Sequence, residues 1–191
     1  MGFSRAELES FRDATLPDLV GPGLRLLFVG INPGLWTAAV QTHFARPGNR
    51  FYPALRRAGI LTRDIDLARG MTDDDRRHFL DRGVGITNLV ARATARADEL
   101  SPAELRDGGL RLAEFVRTWQ PRVVAVLGIS AYRIAFAKPQ AKAGEQPEHL
   151  GPARLWVVPN PSGLNAHDTI ASLATAYGAP ARAAGVLPRE A

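Results

Sequence analysis

The chain contains no cysteine, which removes disulfides, thiolate metal sites and cysteine nucleophiles from consideration. Lysine is nearly missing as well: Lys138 and Lys142 are the only two, so arginine carries the positive charge. Four histidines, His43, His78, His149 and His167, are scattered without metal-ligand spacing, and no H-E-x-x-H pattern occurs. No apolar run approaches the length of a membrane span, and the start lacks the apolar stretch of a secretory leader. It is a poor myristoylation signal too, because Ala6 stands where Ser or Thr is wanted. Neither a P-loop nor a G-x-G-x-x-G dinucleotide turn is present, and there are no internal repeats. The expectation is a soluble, cytoplasmic, monomeric protein with no metal, no cofactor and no membrane partner.

What is present points to one compact α/β unit. A chain of 191 residues, 46% hydrophobic, is long enough for one well-buried core and short for two. We expect a single domain over 1–191, with a loose tail from about 179. Lys and Arg number 24 against 19 Asp and Glu, a net charge of +5 that draws polyanions. An arginine-rich coding bias produces the same balance.

Near-continuous apolar runs at Leu24–Val29, Val84–Leu89, Val123–Leu127 and Leu155–Val158 read as parallel strands covered on both faces. Helices fit between them at Asn49–Ala58, Asp73–Asp81, Ser130–Ala137 and Thr169–Tyr177, the last capped by Asp168. Ser101-Pro102-Ala103-Glu104 is a capping box that opens a helix to about Trp119, with Leu105, Leu112, Val116 and Trp119 on one face. Ala137–Gly151, rich in Pro, Gly, Lys and Glu, reads as an exposed loop. The predicted architecture is a three-layer α/β/α sandwich with a short, mainly parallel central sheet.

Two loops carry the chemistry. Gly30-Ile31-Asn32-Pro33-Gly34 follows the first strand, and Asn160-Pro161-Ser162-Gly163-Leu164-Asn165 follows the last. Ligands of open parallel sheets bind beyond the carboxyl ends of the strands, so both loops face one crevice. A residue before proline is held extended, which restricts where Asn32 and Asn160 aim their side chains. Gly30 and Gly34 let backbone N–H groups approach a flat ligand closely. An Asn-Pro-Gly turn taken alone also reads as a plain structural turn.

Together with His43-Phe44-Ala45-Arg46-Pro47-Gly48-Asn49-Arg50-Phe51 and Gly85-Ile86-Thr87-Asn88-Leu89-Val90, these loops resemble the mismatch-specific uracil/thymine DNA glycosylase family. The resemblance runs from about Leu24 to Tyr177 and takes in Gln120-Pro121-Arg122 and Gly128. It implies an α/β glycosylase fold that needs no metal or cofactor and acts on double-stranded DNA holding a mismatched or damaged base. It matches Asn32 to the asparagine that positions the attacking water. Phe44 matches the aromatic that stacks on the extruded base, and Gly163 and Leu164 match the wedge that fills the gap in the duplex. Asn88 falls where the family has a polar residue near the pocket. Gly30, Ile31 and Gly34 join the substrate-binding set; Asn160, Ser162 and Asn165 join the DNA-binding set.

Each of these positions has a plainer reading. Phe44 also reads as a core phenylalanine, Asn88 as a strand-end cap, and Leu164 as an apolar residue on an exposed turn. Asp98, in the loop after Val84–Leu89, is a candidate acid–base group or a solvated loop carboxylate. Two departures bear on specificity. Trp36 and Thr37 stand where similar proteins carry small residues, and a bulky Trp36 is expected to narrow the pocket. The wedge continues Leu164-Asn165-Ala166-His167, without an arginine for the opposite base. Two other functions use the same features. A nucleoside or nucleotide N-glycosidase accounts for the crevice, and a non-catalytic DNA-binding module accounts for the charge.

Overall fold

Burial on both faces is what makes the strands. Val84, Ile86, Val123, Ala125, Leu26 and Phe28 turn to one side of the sheet; Leu27, Val29, Val124 and Val126 turn to the other. In the computed structural model, which describes residues 2–67 and 70–188, these residues form β1 (Leu26–Gly30), β2 (Val84–Asn88) and β3 (Val123–Leu127). Two further strands follow, β4 (Gly144–Leu150) and β5 (Ala153–Val158). The order across the sheet is β2-β1-β3-β5-β4. β2, β1, β3 and β5 are mutually parallel, and β4 runs antiparallel to β5 at the edge.

The helices, in chain order, are α1 (Arg5–Glu9), α2 (Leu35–Ala39), α3 (Phe51–Arg57), α4 (Asp73–Asp81), α5 (Pro102–Trp119), α6 (Ile129–Ala135) and α7 (Ile170–Ala183). Phe51 and Leu55 of α3, Phe79 of α4 and Leu173 and Tyr177 of α7 cover the first face of the sheet. Leu105, Leu112 and Val116 of α5, with Ala131 and Tyr132 of α6, cover the second. The result is the expected three-layer α/β/α sandwich with a short, mainly parallel sheet. The capping box at Ser101 is formed in both directions, and Pro102 takes the first turn of α5. Among the described residues, no helix is long and apolar enough to cross a membrane.

Three expectations are corrected. The segment 137–151 is not all loop: its second half is β4, whose exposed Glu145, Glu148 and His149 suit a strand with one edge in water. The loose tail from about 179 gives way to α7, which passes through a buried Pro180 and seats Ala181 and Ala184 in the core; residues 189–191 lie outside the described part. The cap of α7 is Thr169, whose side chain accepts from Ser172 N, rather than Asp168. The short helices α1 and α2 were not anticipated. They pack together through Leu8, Phe11, Leu35 and Ala38.

Candidate active site

The carboxyl ends of β1, β2, β3 and β5 open into one cleft of about 640 Å³. Gly30, Ile31, Asn32 and Gly34 line it from the loop after β1, and Asn88 from the end of β2. Phe44 lines it from the segment before α3, and Asn160, Ser162 and Leu164 from the loop after β5. Asp98 lies on its rim, in a single 3-10 turn at Ala97–Glu99. Gly163 and Asn165 do not line the cleft but belong to the same turn as Leu164. The sequence-derived set is thus brought together almost whole.

Asn32 is held from outside its own loop. Its Nδ2 donates to the carbonyl of Arg92 (3.0 Å) and to Thr94 Oγ1 (2.8 Å). Thr94 Oγ1 gives its single proton to the Arg96 carbonyl (2.8 Å), so toward Asn32 it can only accept. The amide orientation is thereby fixed, and Oδ1 is left as the acceptor for the cleft. The carbonyls of Gly30, Ile31 and Pro33 accept from the N–H groups of Leu89, Val90 and Thr94. In trans peptides the next N–H points the opposite way, so those of Ile31, Asn32 and Gly34 turn away from that segment.

Asn88 is oriented by a buried histidine. His43 Nε2 lies 3.1 Å from the Pro17 carbonyl, which can only accept, so Nε2 carries the proton. Burial holds the imidazole neutral by lowering its pKa to about 4, so Nδ1 accepts from Asn88 Nδ2 at 3.2 Å. Asn88 Oδ1 then faces the backbone of Gly30. A Cβ added at Gly30 would lie 2.3 Å from that oxygen and 3.0 Å from the Phe44 ring. Glycine is therefore required here for close approach.

Phe44 is half-buried. Its ring packs on Phe51 with centroids 4.2 Å apart, which fixes one face and leaves the other to the cleft. Its φ of 55° lies in the left-handed region, a strained conformation that non-glycine residues adopt mainly where surroundings force it. Phe44 is thus neither a plain core residue nor a free surface ring.

The Asn160 loop is bonded to itself. Asn160 Oδ1 accepts from Ser162 N (2.9 Å), and Asn165 Nδ2 donates to the Asn160 carbonyl (3.1 Å) and to Asp168 Oδ2 (2.8 Å). Tyr177 Oη donates to the Pro159 carbonyl at 2.9 Å and anchors the loop's start. At the tip, Leu164 lines the mouth of the cleft and is 78% exposed.

Asp98 is solvated and paired to Arg96, at 2.6 and 3.1 Å. Trp36 does not narrow the cleft. It packs edge-on against Phe3, ring centroids 5.0 Å apart, and borders a separate depression behind Ala45–Asn49, whereas Thr37 lines the cleft. The tethers at Arg92 and Thr94, the histidine behind Asn88 and the contacts of Arg50 were all missed in the sequence; only Arg50 and His43 stood inside a recognised motif. The model of the uracil DNA glycosylase superfamily matches residues 17–177.

Proposed function

This chain belongs to the uracil DNA glycosylase superfamily, and from that membership we propose that it releases uracil from mismatched double-stranded DNA by base flipping, leaving an abasic site. The observation that carries the reading is the convergence, in one cleft, of a tethered Asn32 amide, a half-buried Phe44 ring and an exposed Leu164. Phe44 takes one face of the extruded base. Asn88 Oδ1 accepts from the N3–H of uracil. Leu164 enters the stack that the base has left, as apolar wedges do in bent or opened duplexes.

Bond cleavage follows from the same groups. The N1–C1′ bond breaks with its electron pair leaving on uracil, and the sugar takes oxocarbenium character. The N–H groups of Ile31 and Gly34 stabilise the departing anion. Water held by Asn32 Oδ1 adds to C1′ and loses a proton to solvent or to the released base. An amide orients water but does not deprotonate it, which suits a good leaving group such as uracil. Asp98 is the one carboxylate lining the cleft among the described residues, and we give it a supporting acid–base part. It is exposed to solvent and already paired with Arg96, so Asp98→Asn should slow release only severalfold.

The test is single-turnover incubation with a G·U duplex, followed by alkaline cleavage of abasic sites. Strand scission at the uracil is expected. An intact strand, with hydrolysis of free uridine instead, would overturn the reading in favour of a nucleoside hydrolase.

A further inference from the structure

Arg50 is absorbed by none of the steps above, yet it joins the two loops that those steps require. Its Nη2 donates to the carbonyls of Ser162 and Asn165, both at 2.6 Å, and its Nη1 to the carbonyl of Asp168. Its backbone N–H donates to the Pro161 carbonyl at 3.0 Å. The turn bearing Leu164 thus closes around one guanidinium that belongs to the other loop. A second contact lies beside it: a Cβ on Gly163 would come 2.8 Å from the carbonyl oxygen of Gly48, so the two backbones already touch. Arg50 Nε is buried without a partner, so the three carbonyl bonds of Nη1 and Nη2 carry the guanidinium's hold on the turn.

We infer that Arg50 is a positioning residue that makes the stacking loop of Phe44 and the wedge loop of Leu164 one rigid piece. The inference rests on the glycosylase reading. The chemistry favours it: a planar fork reaches three carbonyls at once, which a lysine ammonium on a flexible stem does not reproduce. Extrusion needs the base pocket and the wedge at a fixed separation. Energy gained at Leu164 holds the base against Phe44 only if the span between them does not give. Arg50 and the Gly48–Gly163 contact set that span, and neither touches the reacting atoms.

Two variants break the joint from opposite sides. Arg50→Lys keeps the charge and loses the fork; Gly163→Ala keeps Arg50 and pushes the backbones apart. Each is measured in two ways. Amide hydrogen exchange on the free protein should rise in both variants across residues 44–49 and 162–165 together, with the sheet amides unchanged. Single-turnover release is then compared for uracil in an A·U pair, a G·U pair and an unpaired bulge. The expected loss is about tenfold at A·U, smaller at G·U and least in the bulge, the scale of one or two charge-assisted hydrogen bonds. Exchange that rises in one loop only, or equal losses on all three substrates, would overturn the inference and leave Arg50 a general packing residue. Should the wild type release no uracil from any of them, the glycosylase reading fails, while the exchange data still decide whether Arg50 joins the loops.

Discussion

The two Asn-Pro loops begin with the same dipeptide and use its asparagine in opposite ways. In the loop after β1, the Asn32 nitrogen is given to residues some sixty positions away, Arg92 and Thr94, and the oxygen is left for the cleft. In the loop after β5, the Asn160 oxygen turns back to Ser162 N two residues on, and shapes its own turn. One loop is held from outside and presents a functional group. The other is held from within and presents an apolar tip. The proline restricts the backbone similarly in both; what differs is where each side chain finds a partner.

The contrast predicts two kinds of damage. Asn32→Ala, the largest, should suppress base release about a hundredfold or more on every substrate while leaving DNA binding nearly intact, the usual scale for a lost positioned group. Near-normal single-turnover release would shift the water to Asp98. Leu164→Ala should instead act in proportion to the stack that must be opened, about tenfold at A·U, less at G·U and little in a bulge. Uniform losses across the three would erase the distinction between the loops.

Thr94→Val sharpens the comparison from behind. It removes one of two acceptors that orient the Asn32 amide, so kcat should fall about fivefold with KM unchanged, in keeping with the loss of one neutral hydrogen bond. No change would show that the Arg92 carbonyl suffices. The smallest effect concerns pH. His43 binds its proton less readily folded than unfolded, with a pKa near 4 against 6.5, so the unfolded chain takes up more protons between those values. Stability should therefore fall as pH drops from about 6.5 toward 4, a slope that His43→Gln flattens. Between pH 7 and 8 the folded imidazole stays neutral, and Asn88 should keep its orientation there.

The parallel strands were legible because a strand buried on both faces must be apolar at nearly every position, as in Val123–Leu127. β4 was not, because an edge strand with one side in water tolerates Glu145, Pro147 and Glu148 and resembles a loop. The stretch from about 179 was read as a loose tail, but Tyr177, Ala181 and Ala184 bury enough surface to carry the chain on through Pro180. At the cleft, Asn32, Phe44 and Leu164 could be read from local motifs. Thr94 and Arg92 could not: nothing near them in the chain marks them, and only the pairing of the loop with the segment after β2 brings them to Asn32. Arg50 was in plain view beside Phe51, yet its carbonyl partners begin more than a hundred residues later.

For anyone wishing to broaden the range of bases that the proposed pocket would take, Gly30 marks a dead end. The smallest possible addition there, one methyl, already overlaps Asn88 Oδ1 and presses on Phe44. A library that varies position 30 would therefore sample damaged pockets rather than new ones. Substitutions at Asn88 and Phe44 themselves, with position 30 left bare, keep the space in which a different base edge can be met.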